Sequence, residues 1–595
     1  MSVTVDHAIA LQTTSAGLTS SQGHKFRWLL KHSDTQKSLF IAKKFNLSIP
    51  VAQVLVARQL DSVELVARFL FSDKDADVAC ASKLKDGLKT VARILQAIER
   101  QEKILIFGDY DVDGMTSVSI VMLALVPLGA NINYFLPDRQ KDGYGISAVA
   151  VEKAVKAGFK LIITVDNGTT AHGAAEMANK LGIDLIITDH HQPKESLPDV
   201  FALVNPHQIA CSYPNKNFCG AGVIFKLMHL LYAQKQMSLP QKVFELLMMG
   251  TIADMVPLDF ENRYWVRLGI AALKNNMSYS FFCLAKNAGL NPEKDFWSAQ
   301  DIGFFIAPQL NALGRLENSR DAVKFLISSE ESVVEEVAPR LKEINDRRKK
   351  IDREIFAQIE AKIKRKEIDL SKEKIIMAAD SAWPPGVIGL VAGKLLAAYG
   401  RPTFLFHLTP EGVAKGSCRS IEKFNIFKAL DQAQEILISF GGHSCAAGLC
   451  LEQKNLPALK ILLEKMIDQE VTAQDLVPTI NIDAILNLPD SNKKLLSDLR
   501  MLEPFGHSNA VPYFLLEQVV LVKRPELLKD AHLKCLIFAD GVIRPVIFFH
   551  KPELFDLFLI NEDRPFDLVV SINGNEWQGK TTVDFIGLDV KFKQQ

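Results

Sequence analysis

The sequence predicts a multidomain α/β protein with two successive α/β regions, a long helix that connects them and a C-terminal β-barrel. Three observations lead to this prediction. Short apolar runs alternate with helix-like segments from about residue 103, which is typical of a doubly wound parallel sheet. Apolar residues recur at helical spacing over 332–366. Short β-like stretches separated by turns dominate from about residue 477, which is typical of a small barrel.

The length of the chain, 595 residues, is enough for about three to five domains. We expect five parts, which are an N-terminal helical segment (1–72), a first α/β region (73–328), a connector helix (329–368), a second α/β region (369–470) and the barrel (471–595). Leu and Val at helical spacing predict helix from about residue 24 to 71. In the first α/β region we expect strands at 104–107, 132–136, 161–165, 185–188 and 201–204, with helices at 116–128, 147–156 and 170–181.

The composition is ordinary for a globular protein, with 48% apolar and 23% charged residues. Lys+Arg and Asp+Glu both number 69, so the formal net charge is zero and any binding of nucleic acid must come from local clefts. The eight cysteines form no C-x-x-C pair, which favours a reducing compartment. Without a secretory leader in the first 30 residues or an apolar run of about 20 residues, we expect a cytoplasmic protein with no membrane span.

The predicted connector helix carries four consecutive basic residues, Arg347 to Lys350, mainly off its apolar stripe. They are either a solvated helix face or a basic spacer beside a nucleic-acid groove. The solvated face is the commoner arrangement, and we favour it.

The strongest chemical feature is a run of aspartates, Asp109, Asp111 and Asp113, directly after the apolar run 103–107. Alternate residues of an extended chain project the same way, so the three carboxylates can face one pocket. Three acids this close repel one another unless a cation neutralises them. A solvated polar turn and a Ca²⁺ loop are the alternatives. The Ca²⁺ loop is disfavoured because its twelfth position, counted from Asp109, is Ile120 rather than Glu.

Two further predicted strands end in polar residues. Asp166 follows 161–165, and Asp189, His190 and His191 follow 185–188. In open α/β sheets ligands bind at the carboxyl ends of the strands, so these residues are expected to converge with the aspartate run. Asp254 is a further candidate, because an acid in an apolar stretch is seldom buried unless it is paired or bound to a cation.

Carboxylate and imidazole ligands without thiolate favour Mn²⁺ or Mg²⁺, with two ions about 3.5–4 Å apart. A water molecule that they activate would attack phosphorus in line, so no covalent nucleophile is required. The sequence therefore predicts a metal-dependent phosphoesterase.

With these motifs the chain resembles the DHH phosphoesterase superfamily and, within it, the RecJ family of bacterial single-strand-specific exonucleases. The four matching motifs are 109–114, 165–168, 189–191 and 250–257, and the similarity continues through 136–139, 142–145 and 310–316. The resemblance covers nearly the whole chain. It implies a DHH domain, a DHH-associated domain and an OB-fold barrel. It also implies 5′→3′ degradation of single-stranded DNA to 5′-mononucleotides in DNA repair and recombination.

The resemblance implies a role for each candidate residue. The metal ligands are Asp109, Asp111, Asp113, Asp166, His190, His191 and Asp254. The residues expected to take part directly in catalysis are Asp111, Asp166 and His190, together with Asp189, which is expected to orient an imidazole. The expected substrate contacts are Arg139, Arg315, Ser417, Arg419, Gly442 and His443. Among these, the resemblance implies that Arg315, Ser417 and Arg419 hold the terminal 5′ phosphate.

The chain departs from the family pattern at Pro384, Lys394 and His507, none of which belongs to the metal motifs. Trp577 in the barrel is either a base-stacking residue or a core residue. The expected partners are single-stranded DNA, a single-strand-binding protein and a helicase, and the protein is expected to be a monomer.

Two other functions are the alternatives to a single-strand exonuclease. Smaller DHH relatives cleave short oligonucleotides, cyclic dinucleotides or pyrophosphate, but they generally lack the barrel and the N-terminal segment. A non-enzymatic DNA-binding scaffold is disfavoured because every expected ligand position is filled.

Overall fold

The computed structural model describes residues 12–13, 18–139, 141–577 and 580–593. Within these ranges no helix is both long and apolar enough to cross a membrane. The side chain of Trp577 lies outside the described part of the chain.

The N-terminal part is joined to the C-terminal barrel. Its elements are β1 (Gln12–Thr13), β2 (Leu18–Gln22), β3 (Arg27–Lys31), α1 (Thr35–Phe45), α2 (Ile49–Ala57), α3 (Val63–Leu70) and α4 (Lys74–Asp77). The prediction of helix from residue 24 is wrong for β3, which pairs with β2 and with a strand at Thr479–Ile482. No local pattern reveals such a distant partner. Helices α1 to α3 share one hydrophobic core with the barrel.

The first α/β region contains a five-stranded parallel sheet. Its elements are α5 (Gly87–Glu99), β4 (Ile104–Phe107), α6 (Val112–Leu125), β5 (Ile132–Phe135), α7 (Ala148–Lys156), β6 (Leu161–Val165), α8 (His172–Leu181), β7 (Asp184–Thr188) and β8 (Ala202–Val204). The strand order is β5-β4-β6-β7-β8, and every pair is parallel. All five strands therefore end at one edge of the sheet, as predicted.

A layer of helices covers this sheet and leads to the connector. The elements are α9 (Gly220–Gln234), α10 (Lys242–Ala253), α11 (Phe260–Asn276), α12 (Tyr279–Asn287), α13 (Ala299–Asp301), a π-helix (Ile302–Ile306), α14 (Ala307–Leu316), α15 (Arg320–Ile327) and the connector α16 (Glu331–Lys364). Helix α6 is almost completely buried beneath them. The connector is one helix of 34 residues, as predicted.

The basic residues of the connector face acids. Arg347 pairs with Glu317 at 3.1 Å, and Arg348 lies 3.6 Å from the buried Asp352. Lys349 and Lys350 each lie near an acid of α16 itself, at 4.0 and 3.9 Å. Arg347, Lys349 and Lys350 are exposed, which fits the solvated face, whereas Arg348 is half-buried.

The second α/β region has a mixed five-stranded sheet. Its elements are β9 (Ile376–Asp380), α17 (Pro385–Tyr399), β10 (Thr403–Leu408), β11 (Val413–Arg419), α18 (Ile426–Gln432), β12 (Ser439–Gly442), β13 (Ala446–Glu452) and α19 (Leu456–Glu470). The order is β12-β13-β11-β10-β9, and only β9 and β10 are parallel. Lys394 on α17 donates to Asp352 of the connector at 2.7 Å, so this departure from the family pattern has a structural partner.

The C-terminal part is the predicted small barrel. Its elements are β14 (Thr479–Ile482), β15 (Ala484–Ile485), α20 (Lys493–Met501), β16 (Phe514–Leu521), β17 (Glu526–Leu528), β18 (His532–Ala539), β19 (Val542–Phe548), α21 (Leu554–Ile560), β20 (Phe566–Trp577) and β21 (Lys580–Phe592). Strands β16, β20, β21, β19 and β18 are paired in this order, and a pairing of β16 with β18 closes the barrel.

Candidate metal centre

The aspartate run lies at the turn from β4 into α6. Asp111 caps α6 and accepts a hydrogen bond from the Gly114 amide at 3.1 Å. Asp113 lies in the first turn of α6, so the run is not extended throughout, and the helix replaces the alternation that we expected. A Cβ at Gly114 would lie 2.6 Å from the main chain of Asp109, so only glycine allows the turn to fold this tightly.

Asp113 is fixed by the N-terminus of α9. Its carboxylate accepts hydrogen bonds from the amides of Gly220 and Ala221 at 2.5 and 2.8 Å. The first amides of a helix have no partner within the helix, and its dipole favours an anion there. A buried carboxylate is thus held in place before any cation binds.

Asp166 follows β6 in a left-handed conformation, with φ of 63°. Its Oδ1 lies 3.1 Å from Nε2 of His190. Gly220 is packed so closely that an added Cβ would lie 2.5 Å from the Cβ of Asp166. The N-terminus of α9 therefore positions both Asp113 and Asp166.

Asp189, after β7, holds the histidine pair. Its carboxylate accepts from the amides of Thr169 at 2.9 Å and His190 at 2.7 Å, and its Oδ1 lies 2.7 Å from Nδ1 of His191. With Nδ1 engaged in this way, Nε2 of His191 is the ring atom left for a ligand. This geometry supports the orienting role that the sequence predicts for Asp189.

His190 and Asp254 bring the far side of the centre together. Nε2 of His190 lies 3.6 Å from Oδ2 of Asp254 and 3.8 Å from Oδ2 of Asp113. Nε2 of His190, Oδ2 of Asp254 and Oδ1 of Asp109 are buried, and none of the three has a hydrogen-bond partner in the described chain. Buried polar atoms are almost always satisfied, so three unpartnered ligand atoms within one cluster of acids and imidazoles fit a cation site.

The candidate ligands form three overlapping groups in which the ligand atoms lie within 4.8 Å of one another. The groups are Asp109, Asp111 and Asp166; Asp113, His190 and Asp254; and Asp166, Asp189, His190 and His191. Asp166 and His190 each belong to two groups. The structure thus brings all seven predicted ligands and Asp189 into one cluster.

The electrostatics also fit a cation. Burial and the neighbouring Asp113 raise the pKa of Asp166 and of Asp254 well above the ordinary range. Burial and Asp111 do the same to the pKa of Asp109. Burial opposes the charged form of Asp189, yet hydrogen bonding from His191 and the charges of both imidazoles hold its pKa below the usual value. The ligand carboxyls are thus the groups that need an added positive charge.

A polar cavity of about 290 Å³ opens onto this cluster. Arg139 and Arg315 line it together with metal-centre residues. Arg315 crosses to the second α/β region, where its Nη1 donates to the Gly386 carbonyl at 2.9 Å. Burial and the nearby Arg139 lower the pKa of Arg315 to about 10. The Arg139 guanidinium lies 5.2 Å from the ring centroid of Tyr110.

Ser417 and Arg419 lie on β11, and neither is among the described residues that line the polar cavity. Nη1 of Arg419 donates to the Cys418 carbonyl at 2.8 Å and lies 3.4 Å from Oγ of Ser417. A Cβ at Gly389 would lie 2.8 Å from Oγ of Ser417, so α17 packs directly on this pair.

Gly442 and His443 lie at the turn between β12 and β13. Gly442 has a φ of 143°, and an added Cβ would lie 2.4 Å from the Ala446 carbonyl. Among the described residues that line the polar cavity, neither Gly442 nor His443 is present. The structure therefore does not bring this predicted pair to the cavity itself.

Sequence reasoning missed the residues that brace the strand ends. The Asn167 amide donates to the carbonyls of Gly108 and Val165 at 3.2 and 2.9 Å, which ties β6 to β4. The Asn205 amide donates to the His191 carbonyl at 2.8 Å. An asparagine within two residues of a strand end was the available signal.

Three family models match the chain. The DHH family, N-terminal domain, matches residues 103–251, the DHHA1 domain matches 372–469, and the RecJ OB domain matches 482–589.

The chain is also similar to curated proteins. It is 36% identical over 560 residues to the single-stranded-DNA-specific exonuclease RecJ of Bacillus subtilis, which covers 93% of this chain and 70% of the relative. It is 31% identical over 547 residues to the enzyme of the same description from Haemophilus influenzae, covering 87% of this chain and 94% of the relative.

Solved structures agree with these matches. RecJ of Thermus thermophilus in complex with Mn²⁺ has a TM-score of 0.80 at 25% identity, covering 96% of this chain and 80% of that one. An exonuclease RecJ bound to manganese has a TM-score of 0.57 at 30% identity, covering 66% of this chain and 96% of that one.

Proposed function

This chain belongs to the RecJ family of DHH phosphoesterases, and from this premise we propose that it degrades single-stranded DNA from the 5′ end and releases 5′-mononucleotides. The chain is a metal-dependent, single-strand-specific exonuclease. The direction of degradation, the product and the residue roles below are our proposal.

One side of the cleft, which we call the metal wall, consists of the predicted ligands. They are Asp109, Asp111, Asp113, Asp166, His190, His191 and Asp254. Their oxygen and nitrogen atoms suit Mn²⁺ or Mg²⁺, and relatives have been solved with Mn²⁺ and with Mg²⁺. When bound, such ions supply an activated water and stabilise the charge that develops on the phosphate oxygens.

The protein's own groups prepare this chemistry. Asp189 keeps the His191 ring in one orientation, and the amides of α9 keep the Asp113 carboxylate in place. Both arrangements exist in the protein before substrate binds, so little reorganisation is needed during the reaction.

The other side, which we call the cation wall, consists of Arg139 and Arg315, which line the cavity, and Arg419, whose positive charge lies close enough to lower the pKa of Arg315. Arg315 and Arg419 are half-buried, and the partners that their side chains contact are Gly386, Ser417 and Cys418 rather than carboxylates. Burial lowers the pKa of both side chains. A guanidinium fork binds the oxygens of a phosphate through two parallel hydrogen bonds, which suits a terminal 5′ phosphate.

The proposal also explains strand selectivity. The Arg315 side chain bridges the two α/β regions at Gly386, where an added Cβ would lie 2.3 Å from the Arg315 carbonyl. The regions therefore meet tightly beside the cavity. We propose that this cleft admits a single strand and excludes a duplex.

The observation that carries the proposal is the pair of unpartnered, buried ligand atoms of Asp109 and Asp254 in a cavity that Arg139 and Arg315 also line. The test compares four DNAs of equal sequence in Mn²⁺, which are a 5′-phosphorylated single strand, a 5′-hydroxyl single strand, a blunt duplex and a dinucleotide. We expect the phosphorylated single strand to be degraded fastest and to yield mononucleotides. Equal rates on the blunt duplex, or activity on the dinucleotide alone, would contradict the proposal.

The cellular context is part of the proposal. We propose that the protein acts in the cytoplasm as a monomer, in DNA repair and recombination. A helicase would supply the single strand and a single-strand-binding protein would present it. The need for an unwound substrate supports these partners. The eight cysteines are all free thiols, which supports a reducing compartment such as the cytoplasm. Sedimentation of the purified chain tests whether it is a monomer. Co-purification with a tagged single-strand-binding protein tests that partner.

A further inference from the structure

Tyr144 lies where three parts of the site meet. It belongs to the loop between β5 and α7 and lines the polar cavity with Asp109, Asp166 and His191. The residue is 52% exposed, but its hydroxyl points into the metal wall. Sequence reasoning gave this residue no role.

The hydroxyl of Tyr144 fixes the main chain of Asp166. It donates to the Asp166 carbonyl at 3.2 Å. Asp166 has a φ of 63°, a conformation that side chains other than glycine rarely adopt. Such a conformation persists only where the surrounding structure holds it, and the Tyr144 hydroxyl is one of the groups that does so. The direction of the Asp166 carboxylate depends on this conformation.

The same side chain confines the His191 imidazole. The hydroxyl oxygen lies 3.2 Å from Nδ1 and 3.3 Å from Nε2 of His191, so it lies beside the ring edge rather than in line with one nitrogen. The two rings are nearly perpendicular, at 73°, with centroids 5.7 Å apart. Because Nδ1 is already engaged by Asp189, this contact limits how far Nε2 can swing.

The loop that carries Tyr144 is built to present it. Glycines with φ of 79° and 75° flank the residue at 143 and 145. The Asp142 side chain accepts from the Asp138 amide at 2.9 Å, which closes a compact turn. Arg139 of the cation wall belongs to the same turn. The Tyr144 hydroxyl thus attaches this substrate-facing loop to two metal-wall residues.

We propose that Tyr144 is a positioning residue of the metal centre, whose hydroxyl holds the Asp166 carboxylate and the His191 imidazole in their cation-binding geometry. The proposal rests on the metal centre of the proposed function. It assigns the hydroxyl to cation affinity and turnover, and it leaves DNA affinity to the cation wall.

The test is Tyr144→Phe in the full-length protein, with Tyr134→Phe as the matched control, because Tyr134 lies on β5 outside the metal centre. Calorimetric titration with Mn²⁺ in the absence of DNA gives a metal Kd for each protein. We expect Tyr144→Phe to raise this Kd about tenfold or more, since removing an outer partner of a ligand costs about 10–100-fold in affinity or activity. The value for kcat should fall by a similar factor and recover in excess Mn²⁺, while KM for the single strand stays within about twofold. Tyr134→Phe should match the wild type.

Three results would overturn the proposal. A Mn²⁺ Kd for Tyr144→Phe equal to that of a wild type that binds Mn²⁺ and cleaves DNA would remove the positioning role alone. A rise in KM without a change in Mn²⁺ Kd would make Tyr144 a DNA contact instead. A wild type that binds no Mn²⁺ would overturn the proposed function as well.

Discussion

The two walls of the cleft are built in different ways. Most residues of the metal wall directly follow three neighbouring parallel strands, β4, β6 and β7, so the sheet alone brings those residues together. The cation wall combines a loop, helix α14 and strand β11, and it forms only when the two α/β regions are docked. The metal centre can therefore form even when the substrate-binding side has not formed, and each wall can be altered separately.

The largest expected effect comes from the metal wall. His190→Ala removes a ligand that belongs to two of the three ligand groups. We expect kcat to fall about a thousandfold or more, because metal catalysis supplies several kcal/mol of transition-state stabilisation. Single-strand affinity, measured by fluorescence anisotropy, should stay within about threefold. His172→Ala, at the start of α8, is the control, and near-normal turnover of His190→Ala would refute the assignment.

A smaller effect, of a different kind, is expected from the cation wall. Arg419→Ala should raise KM about 10–100-fold, since a hydrogen bond to a charged group contributes about 1.5–3 kcal/mol. The preference for a 5′-phosphorylated over a 5′-hydroxyl strand should decrease. Arg419→Lys keeps the charge but loses the fork, so its KM should lie between the two. Steady-state kinetics on both strands gives the answer, and an unchanged preference would remove Arg419 from phosphate binding.

The raised carboxyl pKa values predict how pH affects metal binding. Because burial raises the pKa of Asp109, Asp166 and Asp254, the folded metal-free chain holds protons that the unfolded chain releases at lower pH. This contribution to stability is present below the ordinary carboxyl pKa and is lost as pH rises through the raised values. Mn²⁺ replaces these protons, so the rise in Tm that it causes should grow as pH rises above the ordinary carboxyl pKa and through the raised values. A metal-induced rise that does not change with pH would contradict these pKa directions.

The smallest effect should come from the contact between the connector helix and the second α/β region. Lys394 pairs with the buried Asp352 at 2.7 Å, but its own side chain is 55% exposed. Arg348 remains near Asp352 when Lys394 is lost. We therefore expect Lys394→Ala to lower Tm by only about 2 °C, a value that corresponds to less than about 1 kcal/mol. Both kcat and KM should stay within about twofold, and a large change in KM would show that docking depends on this pair.

The sequence predicted the metal wall better than the cation wall, for a physical reason. Asp166 and His190 follow apolar runs directly, and parallel strands end at one edge, so local pattern and topology together place them. The position of Arg315 beside Gly386 depends on how two regions pack, and no local pattern contains that information. The role of Tyr144 was missed because its partners lie on two other loops.

The fold elements that local periodicity defines were predicted, and those that depend on a distant partner were not. Strands β4 and β6 and the connector follow from apolar periodicity and agree with the structure. The sequence predicts helix at strand β3, and this prediction is wrong because the partner strand β14 lies more than 400 residues away in the chain. The exact limits of the five expected parts stay a prediction. Because α1 to α3 share a core with the barrel, we expect these helices and the barrel to unfold together.

The central claim is that the metal wall cleaves single-stranded DNA from its 5′ end. The most direct measurement is a time course on a 3′-end-labelled, 5′-phosphorylated single strand, in Mn²⁺, in Mg²⁺ and in excess chelator. We predict that the labelled strand shortens progressively with either ion, that labelled mononucleotide appears only at the end, and that the chelator stops the reaction. Immediate release of labelled mononucleotide, or degradation that continues in chelator, would contradict the claim.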